Sequence, residues 1–201
     1  KGGFSPEDSI QVAKLFSDSG IDNIEISGGT YEQPRLLGLD KVSINPKRSE
    51  SRKESTIARE AYFLSYAEEI AKVVNIPLMV TGGFRTKEGM EAALADGACE
   101  IVGVGRPLCA NPYAIKELLA GQIDELPKYE KTLSIGPWWL SPTSPFRLIQ
   151  AINAFSAQAW FYQQIKKMGK GLMPDLNLKP WKAFREDAKA DQEAIKEYQK
   201  I

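Results

Sequence analysis

The chain has 201 residues, with 26 Lys+Arg balanced by 26 Asp+Glu, so no basic excess points to nucleic acid or to an anionic membrane surface. It contains no histidine, which excludes Ser-His-Asp and Cys-His catalysis and any metal site built on imidazole. No apolar run approaches the roughly 18 residues of a membrane span, the opening KGGFSPEDS does not read as a signal peptide, and two cysteines, Cys99 and Cys109, demand no oxidising compartment; the expected location is the cytoplasm.

Residues 1–4 read as a loop following a strand that is not present. Ser5 is then a good N-cap, Pro6 suits the first helical position, and Glu7 and Asp8 suit the positive end of a helix dipole. Ile10, Ala13, Leu15 and Phe16 form the predicted buried face, and Gly20 ends the helix. Residues 21–27 predict a strand with Ile24 and Ile26 on one side and Glu25 on the other. Strands of a closed parallel barrel are covered on both faces, so Glu25 is expected to point inward and to need a partner there. Gly28-Gly29-Thr30-Tyr31-Glu32 follows at the C-terminal end of that strand. Residues 35–56 form a long polar loop whose KRSESRKES run mixes both signs of charge. Residues 57–74 predict an amphipathic helix with Ala61, Leu64, Ala67, Ala71 and Val74 inward.

The most informative stretch is NIPLMVTGGFRTKEGMEAALADGACEIVGVGRPL, residues 75–108. Residues 76–81 predict a buried strand, Gly82-Gly83 breaks it, and Thr86 can cap a helix through Ala95 with Met90, Ala93 and Leu94 on its apolar face. Gly97 closes that helix. Residues 99–104 predict a second buried strand, with Cys99 an ordinary reduced core thiol, and Gly105 and Arg106 follow. Glycine lets a backbone approach a ligand closely, successive N–H groups at such turns can hold an anion, and Arg106 adds a permanent charge in a fork suited to phosphate. Two glycine turns could equally be ordinary βα turns with Arg106 solvated. Their pairing across one helix favours a phosphate site of the kind that (β/α)8 barrels place after two late strands.

Asn111 and Pro112 are expected to start the next helix, packed through Ile115, Leu118 and Leu119 and ended by Gly121. Residues 122–145 are punctuated by proline, and Trp138-Trp139 could be an exposed aromatic lid or a core plug; core or subunit contact is favoured. Residues 146–168 lack Gly and Pro, and Leu148, Ile149, Ile152, Phe155, Ala159, Trp160 and Tyr162 recur at helical spacing. Such an apolar face is expected to cover other apolar surface, in the same chain or a neighbouring subunit. Residues 181–201 predict a charged terminal helix.

The motifs VTGGFRT and VGVGRPL, with ISGGTYEQP and SRKESTIAREAYFLSYAEEI upstream, together resemble the Old Yellow Enzyme family of FMN-dependent NAD(P)H oxidoreductases on a TIM barrel. The resemblance covers residues 1–121. It implies an α/β fold in which strands 21–27, 76–81 and 99–104 are the sixth to eighth of a (β/α)8 barrel, the five earlier strands being absent. It further implies that Gly82, Gly83, Gly105 and Arg106 hold the FMN phosphate, and that the Tyr31 loop lies beside flavin or substrate. Tyr31 itself could stack, donate a hydrogen bond or merely pack. In the family, a His-Asn or His-His pair from the fourth strand binds the substrate oxygen, and this chain cannot supply that pair. No catalytic residue is therefore assigned, and no metal is expected.

The expected organisation is a half-barrel over residues 1–121, a Pro- and Trp-rich connector over 122–145 and a helical extension over 146–201. The expected activity is transfer of hydride from NAD(P)H through FMN to a small electrophilic substrate, as in an ene-reductase, with this chain supplying the phosphate end. Its expected partners are the missing first half of the barrel or a second chain, within an oligomer, and neither nucleic acid nor membrane. The alternatives are a non-catalytic truncated barrel, subunit or interaction module, and a different phosphate-binding barrel.

Overall fold

The computed structural model describes residues 5–27 and 63–199. The expectations for the Gly28-Gly29 turn, Tyr31, the polar loop and the start of the 57–74 helix lie outside the described residues. The described chain divides into two compact units: residues 5–27, 63–105 and 115–127 in the first, and residues 106–114 and 128–199 in the second.

The first unit is α/β, as the alternation of strand and helix patterns predicts. Helix α1 (Pro6–Asp18) opens with a complete capping box: Ser5 Oγ accepts from the Asp8 N–H, and Asp8 Oδ2 accepts from the Ser5 N–H. Strands β1 (Ile24–Ile26), β2 (Leu78–Thr81) and β3 (Ile101–Gly103) form a parallel sheet in chain order. β1 and β3 are shorter at both ends than their predicted runs, and β2 is shorter at its start. Ladder bonds nonetheless extend beyond them, from Ile24 N–H to Pro77 O at 3.1 Å and from Glu100 N–H to Leu78 O at 2.9 Å, and the Glu100 carboxylate accepts from Leu78 N–H at 2.8 Å. Helix α2 (Leu64–Ala71) and helix α3 (Lys87–Ala95) connect and cover the strands, and Thr86 Oγ1 caps α3 by accepting from Gly89 N–H at 3.1 Å.

The register sets the two faces of the sheet apart. Ile24 and Ile26 pair with Leu78 and Val80, and Val80 with Val102; these side chains pack with Leu64, Ala67 and Ile70 of α2, with Ala93 of α3 and with Phe84 in one apolar core. Each large side chain fully buried there contributes roughly 1.5–3 kcal/mol. The other face carries Glu25, Met79, Thr81, Ile101 and Gly103. On it Glu25 is exposed and Ile101 is 41% exposed. Glu25 therefore does not point into a filled interior, contrary to expectation, because that face has no covering layer among the described residues. Leu15, Phe16 and Leu94, predicted inward, are exposed as well; α1 buries only Ala13 and half-buries Ile10, so its apolar face is narrower than the sequence suggests.

Helix α4 (Arg106–Ala110) follows β3 at once, and α5 (Ala114–Leu119) starts later than Asn111-Pro112 predicts. Asn111 makes a local turn instead, its Oδ1 accepting from Tyr113 N–H at 3.0 Å. Leu118 is buried but Leu119 is exposed, another correction to the predicted face.

The second unit is helical. Its long helix α6 (Arg147–Met168) matches the predicted span and packs against α7 (Pro180–Tyr198) and α4. Two short 3-10 turns, Tyr129–Lys131 and Trp138–Leu140, lie ahead of it. The core gathers Ala110, Leu133, Ala157, Trp160, Phe161 and Ala183. Trp160, 1% exposed, donates its indole N–H to Leu178 O at 2.9 Å. Trp138 and Trp139 are not core residues: both are exposed, Trp138 to 88% and at a left-handed φ of 50°. The stripe Leu148, Phe155 and Tyr162 on α6 is exposed too, while Ala159 and Trp160 are buried, so the apolar periodicity spans more of the helix than the chain covers. No helix among the described residues is long and apolar enough to cross a membrane.

Candidate functional site

Both glycine turns leave the sheet at the same end, because Thr81 and Gly103, the last residues of β2 and β3, are in register. Gly82 and Gly83 have φ of 119° and 97°, conformations that side-chain-bearing residues adopt only with strain. The β2 backbone thus turns out of the sheet with glycine at both positions that require it. At Gly105, a Cβ built on the backbone meets nothing within 4 Å.

Gly103 is constrained differently. A Cβ there would collide with Thr81 Oγ1 and approach Met79 Cε to 2.7 Å. Glycine at 103 thus makes room for the Thr81 hydroxyl across the strand. That hydroxyl is buried and has no hydrogen-bond partner among the described residues, a condition that ordinarily costs about 1–3 kcal/mol. Beside the turn, Phe84 and Arg85 are buried, and Arg85 Nη1 donates to Phe84 O at 2.7 Å. The Arg85 carbonyl accepts from Leu126 N–H at 2.7 Å, pinning the segment after the glycines.

Of the residues singled out by sequence, Gly82, Gly83 and Gly105 lie in the first unit, whereas Arg106 opens the second. There Arg106 Nη1 lies 3.5 Å from Glu130 Oε1 in the 3-10 turn Tyr129–Lys131. Tyr31 lies outside the described residues. Thr81 and Glu130 are additions the sequence did not supply. Strand alternation could have put Thr81 on the Met79 face, but nothing local links Glu130 to an arginine so far upstream.

Both thiols are free. Burial, aided by the Glu100 charge, raises the Cys99 pKa; burial also raises that of Cys109, against the downward pull of Arg106. Neither is thus an activated nucleophile, and Cys99 is the buried reduced thiol expected. Among the described residues no three His, Cys, Asp or Glu side chains gather as a metal site requires.

No family model matches the chain. Curated proteins do. It is 40% identical over 114 residues to the NADH-dependent flavin oxidoreductase iliE of Hypocrea jecorina, an alignment covering 56% of this chain and 26% of that protein. It is 32% identical over 165 residues to the NADH-dependent flavin oxidoreductase iccE of Talaromyces variabilis, covering 80% of this chain and 37% of that one. It is 31% identical over 168 residues to an NADH oxidase of Thermoanaerobacter brockii, covering 83% and 23%. Over part of their length, the chain is thus similar to proteins named NADH-dependent flavin oxidoreductase or NADH oxidase. That similarity bears out the resemblance read from the sequence, and it is to proteins named as oxidoreductases. The chain spans about a quarter to just over a third of the length of these relatives.

Proposed function

We propose that this chain supplies the phosphate-binding part of an FMN-dependent NAD(P)H oxidoreductase of the Old Yellow Enzyme type. Gly82, Gly83 and Gly105 would cradle the phosphate through backbone N–H groups, and Arg106 would add the charge. The observation that carries the proposal is the pair of in-register strands ending in positive-φ glycines at Gly82-Gly83 and in open space at Gly105. The donor chemistry fits a phosphate-bearing cofactor: glycine backbone allows close approach, and the buried Thr81 hydroxyl lacks a protein partner. When bound, FMN supplies the hydride chemistry between a nicotinamide and a small electrophile such as an activated alkene. This chain's residues bind and orient its phosphate.

The uncovered sheet face, with Glu25 and Ile101 exposed, supports a further part of the proposal. That face takes the remaining strands of the barrel, from elsewhere in the same polypeptide or from a partner chain, and the active protein is an oligomer or assembly in the cytoplasm. The same observation favours a second reading, a non-catalytic barrel fragment that uses this face as an interaction surface. A visible spectrum separates the two, since bound FMN gives a yellow assembly and the interaction module gives a colourless one. In the complete assembly, Arg106→Ala should remove a charge-assisted contact worth about 1.5–3 kcal/mol, weakening FMN about 10-fold or more. Unchanged FMN affinity would remove Arg106 from the site.

A further inference from the structure

The Arg106–Glu130 pair stands apart from the other described ion pairs. Its side chains are 18% and 12% exposed, against 64% and 52% for Lys72–Glu69 and 48% and 24% for Lys166–Asp187. Both ends are mounted on one core. Arg106 begins α4, whose Cys109 and Ala110 pack into the cluster around Trp160. Glu130 follows Tyr129, whose ring lies 6.0 Å from that of Trp160, and Thr132 Oγ1 ties the same turn back to Tyr129 O at 2.9 Å. An exposed ion pair between flexible side chains has little positional meaning. Here the two partners stand on anchored backbone and are largely withdrawn from water.

A guanidinium withdrawn from water needs a counter-charge. Its fork carries five donors, enough to serve more than one acceptor. It has only one positive charge, however, and a carboxylate that neutralises that charge also repels an incoming phosphate. We propose that Glu130 is a built-in counter-ion for Arg106. It positions the guanidinium in the ligand-free protein, and its negative charge limits how tightly a phosphate is held. Glu130 is a positioning residue that tunes the preference for a phosphorylated over an unphosphorylated ligand. This inference rests on Arg106 being the phosphate ligand proposed above.

The test compares FMN with riboflavin, which has the same ring system and lacks the phosphate, in wild type, Glu130→Gln and Arg106→Ala, by flavin fluorescence in the complete assembly. Glu130→Gln keeps the size and one carbonyl oxygen while removing the charge. It should tighten FMN at least 5-fold at low salt, leave riboflavin unchanged, and show a smaller gain at high salt, where charge is screened. A structural role alone would move both flavins together. Glu130→Ala, checked for folding by circular dichroism, gives the same FMN-against-riboflavin comparison where the amide is not tolerated. If Arg106→Ala weakens FMN but neither Glu130 variant tightens it, the counter-ion role is overturned and the phosphate site stands. If Arg106→Ala leaves FMN unaffected, both ideas fall.

Discussion

In the second unit, buried polar groups find partners within the unit. Trp160 donates to Leu178 O; the Asn153 amide donates to Leu140 O and Ile149 O and accepts from Ile135 N–H. Gln164, fully buried, spans both backbone groups of Asp175, accepting from its N–H at 2.6 Å and donating to its carbonyl at 3.1 Å. The Ser156 hydroxyl is an exception among the described residues. In the first unit the helix-covered face of the sheet is equally well closed, but the other face ends in an exposed carboxylate, a half-exposed isoleucine and a buried hydroxyl with no partner. One unit completes its own interior. The other leaves, at the end of its strands, the kind of incomplete surface that a ligand or further strands complete.

The largest expected effect tests the closure of the second unit. Trp160→Ala removes its largest buried side chain and leaves Leu178 O without its donor, which should cost about 3–5 kcal/mol. Urea denaturation followed by circular dichroism measures this, and a loss below about 1 kcal/mol would mean that the core around Trp160 is loosely packed.

The corresponding change in the sheet should cost less, and the reason sharpens the comparison. Gly103→Ala drives a methyl into Thr81 Oγ1 and to within 2.7 Å of Met79 Cε. Overpacking of a closed interior costs about 1–3 kcal/mol, but the half-buried, flexible Met79 side chain can turn away. We expect a cost near the lower end of that range in the 201-residue chain, and a larger cost once the open face is covered. Equal costs in the chain and in the assembly would show that the face is not completed by further strands.

The local elements were legible where chemistry is local. The Ser5 and Thr86 caps, the glycines closing helices at Gly20, Gly97 and Gly121, and the span of α6 are all written in neighbouring residues. The parallel βαβ order followed from two apolar runs around one helix pattern. Burial was less legible, because periodicity marks which side of a helix is apolar and says nothing about what covers it. Leu15, Phe16, Leu94, Phe155 and Trp138 are apolar and exposed for that reason. Glu25 was misplaced by assuming a covering layer that the described residues do not provide. In the candidate site, glycines at strand ends were visible because φ > 0 selects glycine, whereas Glu130 was invisible because its pairing with Arg106 is set by packing on Trp160 rather than by spacing.

The smallest expected effect is acid sensitivity, and it distinguishes the two units by mechanism. Asp8 in the first unit has its pKa lowered by the backbone N–H of Ser5 and then by the Ser5 hydroxyl. Asp175 in the second has its pKa lowered first by its hydrogen bond to Lys167, 3.0 Å away. For each, the folded pKa lies below the unfolded one, so its contribution to stability is present above the unfolded value and is lost as pH falls through the folded value. The window therefore lies below about pH 4, and nothing should change between pH 7 and pH 5. Salt separates the two. The Asp8 partners are a backbone amide and a hydroxyl, which salt scarcely screens, whereas the Lys167–Asp175 attraction between partly exposed side chains is weakened by it. Amide exchange on α1 and on the Asp175 segment, followed from pH 6 to pH 2 at low and high salt, should show protection near Asp8 lost on acidification at either salt, and protection near Asp175 already reduced by salt at pH 6. Asp8→Asn should abolish the acid transition of α1 alone. If both segments respond to salt alike, the backbone cap is not what holds the Asp8 carboxylate.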